Sequence, residues 1–283
     1  MTISYNRLGS NGRLGNQMFQ YAALRGIAAN RGFDWLIPPP DSYGDSNYGL
    51  FDCFKMSSVK EENLGYLNTQ QNVATGQFHF AKDFFDGCPD NVNLHDYFTT
   101  EKYFKNVEDT IRQDFTFKDE ILEPCKEVMD ALDNPIFMHI RRTDYAVNPD
   151  AHPMCPIEYY EDALSHFDSD IPILVFSDDI EWCKKQPFFE DDRFMLSEFD
   201  ERYPQTCDTL LGKQKALIPY YDLCMMTLCS GGIIANSTMS WWGAWLMEDK
   251  KHPIIYPTQW FGSYYSHYIM DDLFPEGWFG VGV

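Results

Sequence analysis

Before residue 40, the spacing of hydrophobic positions changes from the twofold repeat of a strand to the 3.6-residue repeat of a helix and back. Ile3 and Tyr5 begin an alternation that breaks at Gly9-Ser10-Asn11-Gly12-Arg13-Leu14-Gly15. Met18, Tyr21, Ala22 and Leu24 or Arg25 then recur at helical spacing. This predicts a helix capped by Asn16, running to about Arg31 and stopped by Gly32. Phe33–Ile37 reads as the next strand, closed by Pro38-Pro39-Pro40, and completes a βαβ unit with a glycine-rich first turn. Residues 41 to about 97 are less regular, and Thr99–Leu132 is helical and charged. Beyond Asp133-Asn134-Pro135, strands are predicted at Ile136–Arg141, Ile171–Phe176, Arg193–Leu196, Gly232–Ala235 and Ile254–Tyr256. Helices fall between them, near Ile157–Phe167, Ile180–Gln186, Lys213–Cys229 and Ser240–Glu248. Short apolar strands separated by helices imply a parallel sheet covered on both faces, so the expected class is α/β. A boundary near residue 133 gives two α/β halves, 1–132 and 133–257, and the stretch 258–283 carries no assignment.

Composition narrows the functions open to such a chain. Its 283 residues carry 22 Lys+Arg against 43 Asp+Glu, a formal net charge of -21, which repels nucleic-acid backbones and anionic lipid alike. Apolar runs such as 136–140 and 171–176 are too short to span a bilayer. Met1-Thr2-Ile3-Ser4-Tyr5 lacks the charged start and apolar core of a signal peptide, so a soluble cytoplasmic protein is expected. Eight cysteines without a C-x-x-C pair fit reduced thiols, mostly in the core, and offer no zinc site.

The sharpest chemical signal is His139-Ile140-Arg141-Arg142-Thr143-Asp144-Tyr145 at the end of a predicted buried strand. Lys126 and Lys184 are the nearest cations in sequence on either side. An acidic protein that binds an anion must supply cations locally, and paired arginines offer forked donors to phosphate oxygens. Open α/β sheets bind ligands at the carboxyl ends of their strands, where this pair falls. Alternation puts His139 and Arg141 on one face and Arg142 on the other. The plainer alternative is a pair of structural ion pairs with Asp144 and its neighbours. A second signal, Asn236-Ser237-Thr238, ends a strand in a hydroxyl-rich turn before a tryptophan-rich helix, which suits an anion or simply caps the helix. Ser177-Asp178-Asp179 could touch a ligand or cap the helix at Ile180, and Asp222 could meet the N–H edge of a base or lie on a solvated face. Asp168-Ser169-Asp170 matches the loose D-x-D pattern of metal-dependent glycosyltransferases but reads as a solvated turn. Gly12-Arg13-Leu14-Gly15 is neither a Walker A nor a G-x-G-x-x-G loop.

Taken together, Gly12-Arg13-Leu14-Gly15-Asn16-Gln17-Met18-Phe19-Gln20-Tyr21-Ala22, His139–Tyr145 and Asn236–Trp242 resemble the α-1,2-fucosyltransferases of glycosyltransferase family 11. An inserted-looking Arg7-Leu8-Gly9-Ser10-Asn11 departs from the family's usual start. The resemblance implies a GT-B-like enzyme of two Rossmann-type halves that uses GDP-L-fucose, inverts the anomeric centre and needs no metal or other cofactor. By the same resemblance Arg141, with Arg142, would hold the donor pyrophosphate. His139 and Asp222 would face guanine, and Asn236, Ser237 and Thr238 would close on the phosphates. Gly15, Asn16 and Gln17 would lie on the acceptor side, facing a glycan with terminal galactose. Membrane association would be at most peripheral, through a lipid-linked acceptor. A carboxylate or His would take the proton of the acceptor hydroxyl, and Asp144 stands beside Arg141 as a catalytic candidate, although adjacent arginines make it a poor base. Two rival readings are a metal-dependent GT-A enzyme using the D-x-D acids and a non-catalytic nucleotide-sugar or glycan-binding module.

Overall fold

The computed structural model describes residues 1–40, 48–198, 206–208, 214–216 and 218–282. They divide into two compact units. The first comprises Met1–Lys118 with the described parts of Asp208–Gln214 and Tyr268–Pro275. The second comprises Asp119–Cys207, Lys215–His267 and Glu276–Val283.

In chain order the first unit contains β1 (Thr2–Ser4), α1 (Leu14–Arg31), β2 (Asp34–Leu36), α2 (Leu50–Cys53), β3 (Asn72–Val73), α3 (Lys82–Gly87), β4 (Val92–Leu94) and α4 (Glu108–Asp114). Its sheet has the order β2-β1-β4-β3 with every pair parallel. The predicted first βαβ unit is present, and Gly32 ends α1 with a left-handed φ of 66°. Asn16 is not the cap. Arg13 takes that position without a side-chain bond, and Asn16 lies in the first turn. Most of α1 is buried, and at Gly26 any Cβ would lie 1.9 Å from the Tyr103 carbonyl oxygen, so only glycine admits the crossing segment. Asp114, wholly buried at the end of α4, ties the unit together. It accepts from the Tyr21 hydroxyl at 2.7 Å, the Ser58 N–H at 2.7 Å and Arg25 Nη1 at 2.8 Å. The Arg25 guanidinium also lies 4.4 Å from the centre of the Trp35 ring.

The second unit contains α5 (Asp119–Met129), β5 (Ile136–Ile140), α6 (Thr143–Val147), α7 (Ile157–Leu164), β6 (Ile173–Ser177), α8 (Ile180–Cys183) and β7 (Phe194–Leu196). After β8 (Thr206–Asp208) and β9 (Gln214–Ala216), which form a separate two-stranded sheet, come α9 (Ile218–Leu228), β10 (Gly232–Ile233), α10 (Thr238–Leu246), β11 (Ile254–Pro257) and β12 (Phe279–Val281). The large sheet runs β12-β11-β10-β5-β6-β7, all parallel. All five residues of β5 are buried, as a strand covered on both faces requires. The five strands expected after residue 133 are present with shifted ends.

The division between the units falls earlier than residue 133. Helix α5 packs with α9, the Cys125 thiol reaching the Tyr221 carbonyl oxygen at 3.6 Å, and so belongs to the second unit. The unassigned stretch from Thr258 serves both units. Residues 268–275 join the first, where Asp272 pairs with Lys102 and accepts from the Phe80 N–H at 3.1 Å. Strand β12 then extends the second sheet beside β11.

Candidate active site

Three strands adjacent in the second sheet, β10, β5 and β6, deliver the candidate loops to one edge. Because all run parallel, with Ile140 level with Ser177, residues 141–145, 177–179 and 234–237 leave side by side from their carboxyl ends. Asp178 organises the edge. One carboxylate oxygen accepts from the Arg142 N–H at 2.8 Å. The other accepts from the Thr143 N–H at 3.2 Å and the Thr143 hydroxyl, and pairs with Arg141 Nη1 at 2.8 Å. Burial would raise the Asp178 pKa, but the Thr143 hydroxyl, the Arg141 charge and the Arg142 N–H together hold it below the ordinary carboxylate value. A permanent anion therefore fixes the arginine loop from the neighbouring strand.

Arg141 also pairs with Asp144 and lies 5.3 Å from the centre of the Tyr145 ring. The ion pairs suggested by the plainer reading are thus present, and they hold the guanidinium at the strand end. Arg142 turns away, stacked 3.7 Å over the Trp182 ring and paired with Asp179 at 3.4 Å. Asp179, not Ser177, caps α8 by accepting from the Trp182 N–H. His139 is buried, and its Nδ1 has no hydrogen-bond partner among the described residues. Burial, aided by the Arg141 charge, lowers its pKa to about 4, so the ring is neutral near pH 7.

The hydroxyl-rich turn separates by role. Asn236 is buried, with its amide nitrogen bonded to the Pro153 and Trp260 carbonyl oxygens at 2.8 and 3.0 Å. Its Oδ1 lies 3.6 Å from the Cys155 thiol, and its backbone carbonyl oxygen accepts from the Tyr145 hydroxyl at 2.9 Å, so Asn236 stitches loops together. Ser237 occupies the N-cap position of α10 without a side-chain capping bond, and Thr238 opens the helix. Asp222, on α9, is half-buried and accepts from the Ser197 hydroxyl at 3.3 Å. Desolvation outweighs that bond and pushes its pKa up to about 7.

In the first unit, Gln17 is wholly buried and clamps two loops, donating to the Gly12 carbonyl oxygen at 3.1 Å and accepting from the Gly49 N–H at 3.0 Å. It is a strut, because both ends of its amide are engaged by backbone. Gly15 is buried and Asn16 half-buried in the same turn of α1. Asp168 and Asp170, the D-x-D acids, are exposed in the turn before β6, at the opposite edge of the sheet from Arg141. No group of three or more His, Cys, Asp or Glu among the described residues has the arrangement of a metal site. Nor is any described helix long and apolar enough to cross a membrane.

Two units, each built on a parallel sheet with helices, define a GT-B-like α/β fold. The fold is shared with the NodZ α-1,6-fucosyltransferase soaked with GDP-fucose, at a TM-score of 0.53 and 11% identity over 87% of this chain and 92% of that one. The chain belongs to glycosyl transferase family 11, whose model matches residues 2–282. An alpha-1,2-colitosyltransferase of Escherichia coli is 29% identical over 92% of this chain and 93% of its own. The human galactoside alpha-(1,2)-fucosyltransferase 1 is 25% identical over 83% of this chain and 64% of its own.

Proposed function

We propose that this glycosyltransferase moves L-fucose from GDP-β-L-fucose to the 2-hydroxyl of a terminal β-galactoside, in the cytoplasm, with inversion and without a metal. The observation that carries the reading is Arg141, oriented by Asp178 at the carboxyl end of β5. Cleavage of the fucosyl C1–O bond leaves negative charge on the β-phosphate, and a forked guanidinium meets that charge as it develops. The N-terminus of α10, with Ser237 and Thr238, supplies further donors to the diphosphate. Neutral His139 and Asp222 face the guanine edge, which presents N–H donors. The acceptor hydroxyl attacks C1 from the face opposite the diphosphate, which gives an α-fucoside. Asp144, tied to Arg141, acts through that arginine rather than as a strong base, and a loose transition state with late proton loss needs none. Gly15 and Asn16 remain on the acceptor side, with Gln17 holding their loop.

The test is incubation with GDP-fucose and a panel of β-galactosides, with and without EDTA, followed by NMR of the product. Equal turnover in both arms and fucose α-linked to O2 of galactose are expected. Activity lost on chelation and restored by Mn²⁺ would return the D-x-D acids to first place, and linkage to O3, O4 or O6 would refute the acceptor assignment. GDP-fucose bound but neither transferred nor hydrolysed would favour a non-catalytic module. A second donor follows from the colitosyltransferase relative. Colitose is fucose without its 3-hydroxyl, so GDP-colitose belongs in the same assay.

Asp222 gives this site a pH dependence. Its pKa is raised to about 7 from 3.8, so the folded state favours the neutral acid. The resulting stabilisation is complete below pH 3.8 and declines as pH rises towards 7. Binding has the opposite sign, because the carboxylate is the stronger acceptor for guanine N–H groups. GDP affinity is expected to rise between about pH 6 and 8, with a proton released on binding. Calorimetry in two buffers of different ionisation enthalpy measures that proton. A pH-independent affinity, or one that keeps its slope in Asp222→Asn, would remove Asp222 from the guanine site.

A further inference from the structure

The first unit carries a second group of polar side chains at the carboxyl edge of its own sheet. Strands β1 and β4 are neighbours, with Ser4 level with Asn93. The loops that follow them bring Arg7 and Asn11 against His95 and Tyr97. Arg7 Nη1 lies 3.0 Å from His95 Nε2, and the Tyr97 hydroxyl donates to Asn11 Oδ1 at 3.3 Å. The loop is held in shape. Leu8 is wholly buried and its N–H bonds to the Tyr5 carbonyl oxygen, while the Ser10 N–H and hydroxyl both donate to the Arg7 carbonyl oxygen.

Charge decides what this rim can hold. Arg7 is exposed and makes no ion pair among the described residues, although the chain carries a net charge of -21. The neighbouring Asp96 is engaged elsewhere, accepting from the Thr75 N–H and hydroxyl and from the Tyr97 N–H. An imidazole nitrogen that accepts from Arg7 orients the guanidinium without neutralising it, whereas a carboxylate in its place would cancel the charge. Beside it stand an amide and an exposed tyrosine ring, groups that bond and stack on sugars. We infer that Arg7, Asn11, His95 and Tyr97 form a saccharide subsite for a carboxylate or phosphate group attached to the acceptor. The word acceptor rests on the proposed transfer; the binding does not.

The test measures binding of three probes by calorimetry in the absence of donor. They are methyl β-lactoside, a β-galactoside linked to glucuronate, and a β-galactoside linked to a short alkyl diphosphate. At low salt at least one anionic probe is expected to bind about fivefold or more tightly than the lactoside, a preference that shrinks as salt is added. The arm that shows it tells an acidic sugar from a lipid-type phosphate. Arg7→Gln should abolish the preference. His95→Asp should abolish it too while leaving Arg7 in place, because a carboxylate then pairs with the guanidinium. GDP binding and melting temperature report whether each variant is folded. Equal affinity for all three probes, or a preference that survives both variants, would overturn the inference. A preference that persists in a protein yielding no fucosylated product would instead refute the transfer reading alone.

Discussion

Replacing Arg141 by Ala is expected to lower kcat/KM at least about a hundredfold, roughly 3 kcal/mol of transition-state stabilisation. In the proposed transfer the charge that Arg141 meets grows only as the bond to the diphosphate breaks, so the loss should fall on kcat as well as on KM. Arg141→Lys should also fail badly, because an ammonium is a point charge and cannot reproduce a fork held between the diphosphate and Asp178. Folding should survive either change. Asp178 keeps the Arg142 and Thr143 N–H groups and the Thr143 hydroxyl as partners, so the loop retains its anchor. Steady-state kinetics with GDP-fucose and a β-galactoside, beside a melting curve for each variant, decide the matter. A folded Arg141→Ala protein with near-native kcat/KM would remove Arg141 from the reaction.

That arginine was legible because local pattern determines its place: an apolar run of strand length, then two cations, in a chain with few others. The parallel sheet follows from the alternation of short apolar runs and helices, and the carboxyl-edge position follows from the sheet. Side-chain direction at a turn does not follow in this way. Asn236 looks like a ligand group in sequence, yet it faces inward because Pro153 and Trp260 present carbonyl oxygens from loops 83 and 24 residues away. Gln17 is drawn inward similarly by Gly49. Asn16 looks like a helix cap, but the helix begins at Leu14 with Arg13 at the cap position, three residues sooner. Asp178 reads in sequence as a ligand contact or a helix cap, but its pairing with the arginine loop was recoverable. Once β5 and β6 are both read as parallel strands, the residues after each share an edge, and an acid there faces the arginines. The unit boundary was hidden because the packing of α5 on α9 joins segments about 100 residues apart, and no local period reports that.

The same blindness to distant partners conceals the largest stability effect expected in the first unit. Asp114 sits in a stretch that reads only as helical and charged, but it is wholly buried and its partners Tyr21 and Arg25 lie 93 and 89 residues away. Asp114→Ala would leave a largely buried guanidinium, a tyrosine hydroxyl and the Ser58 N–H without their acceptor. Removing one member of such a pair costs about 3–5 kcal/mol, a large share of the 5–15 kcal/mol typical of whole domains. Asp114→Asn should cost less, since its amide oxygen still accepts from Ser58 or Tyr21 while the charge on Arg25 goes unmatched. The double replacement Arg25→Met with Asp114→Leu separates charge from packing: apolar groups of similar volume should recover most of the loss, because no ion is then left stranded. Urea unfolding of the parent, both single variants and the double variant provides the comparison. An Asp114→Ala protein within about 0.5 kcal/mol of the parent, the range of an ordinary surface substitution, would show that the network contributes little to folding.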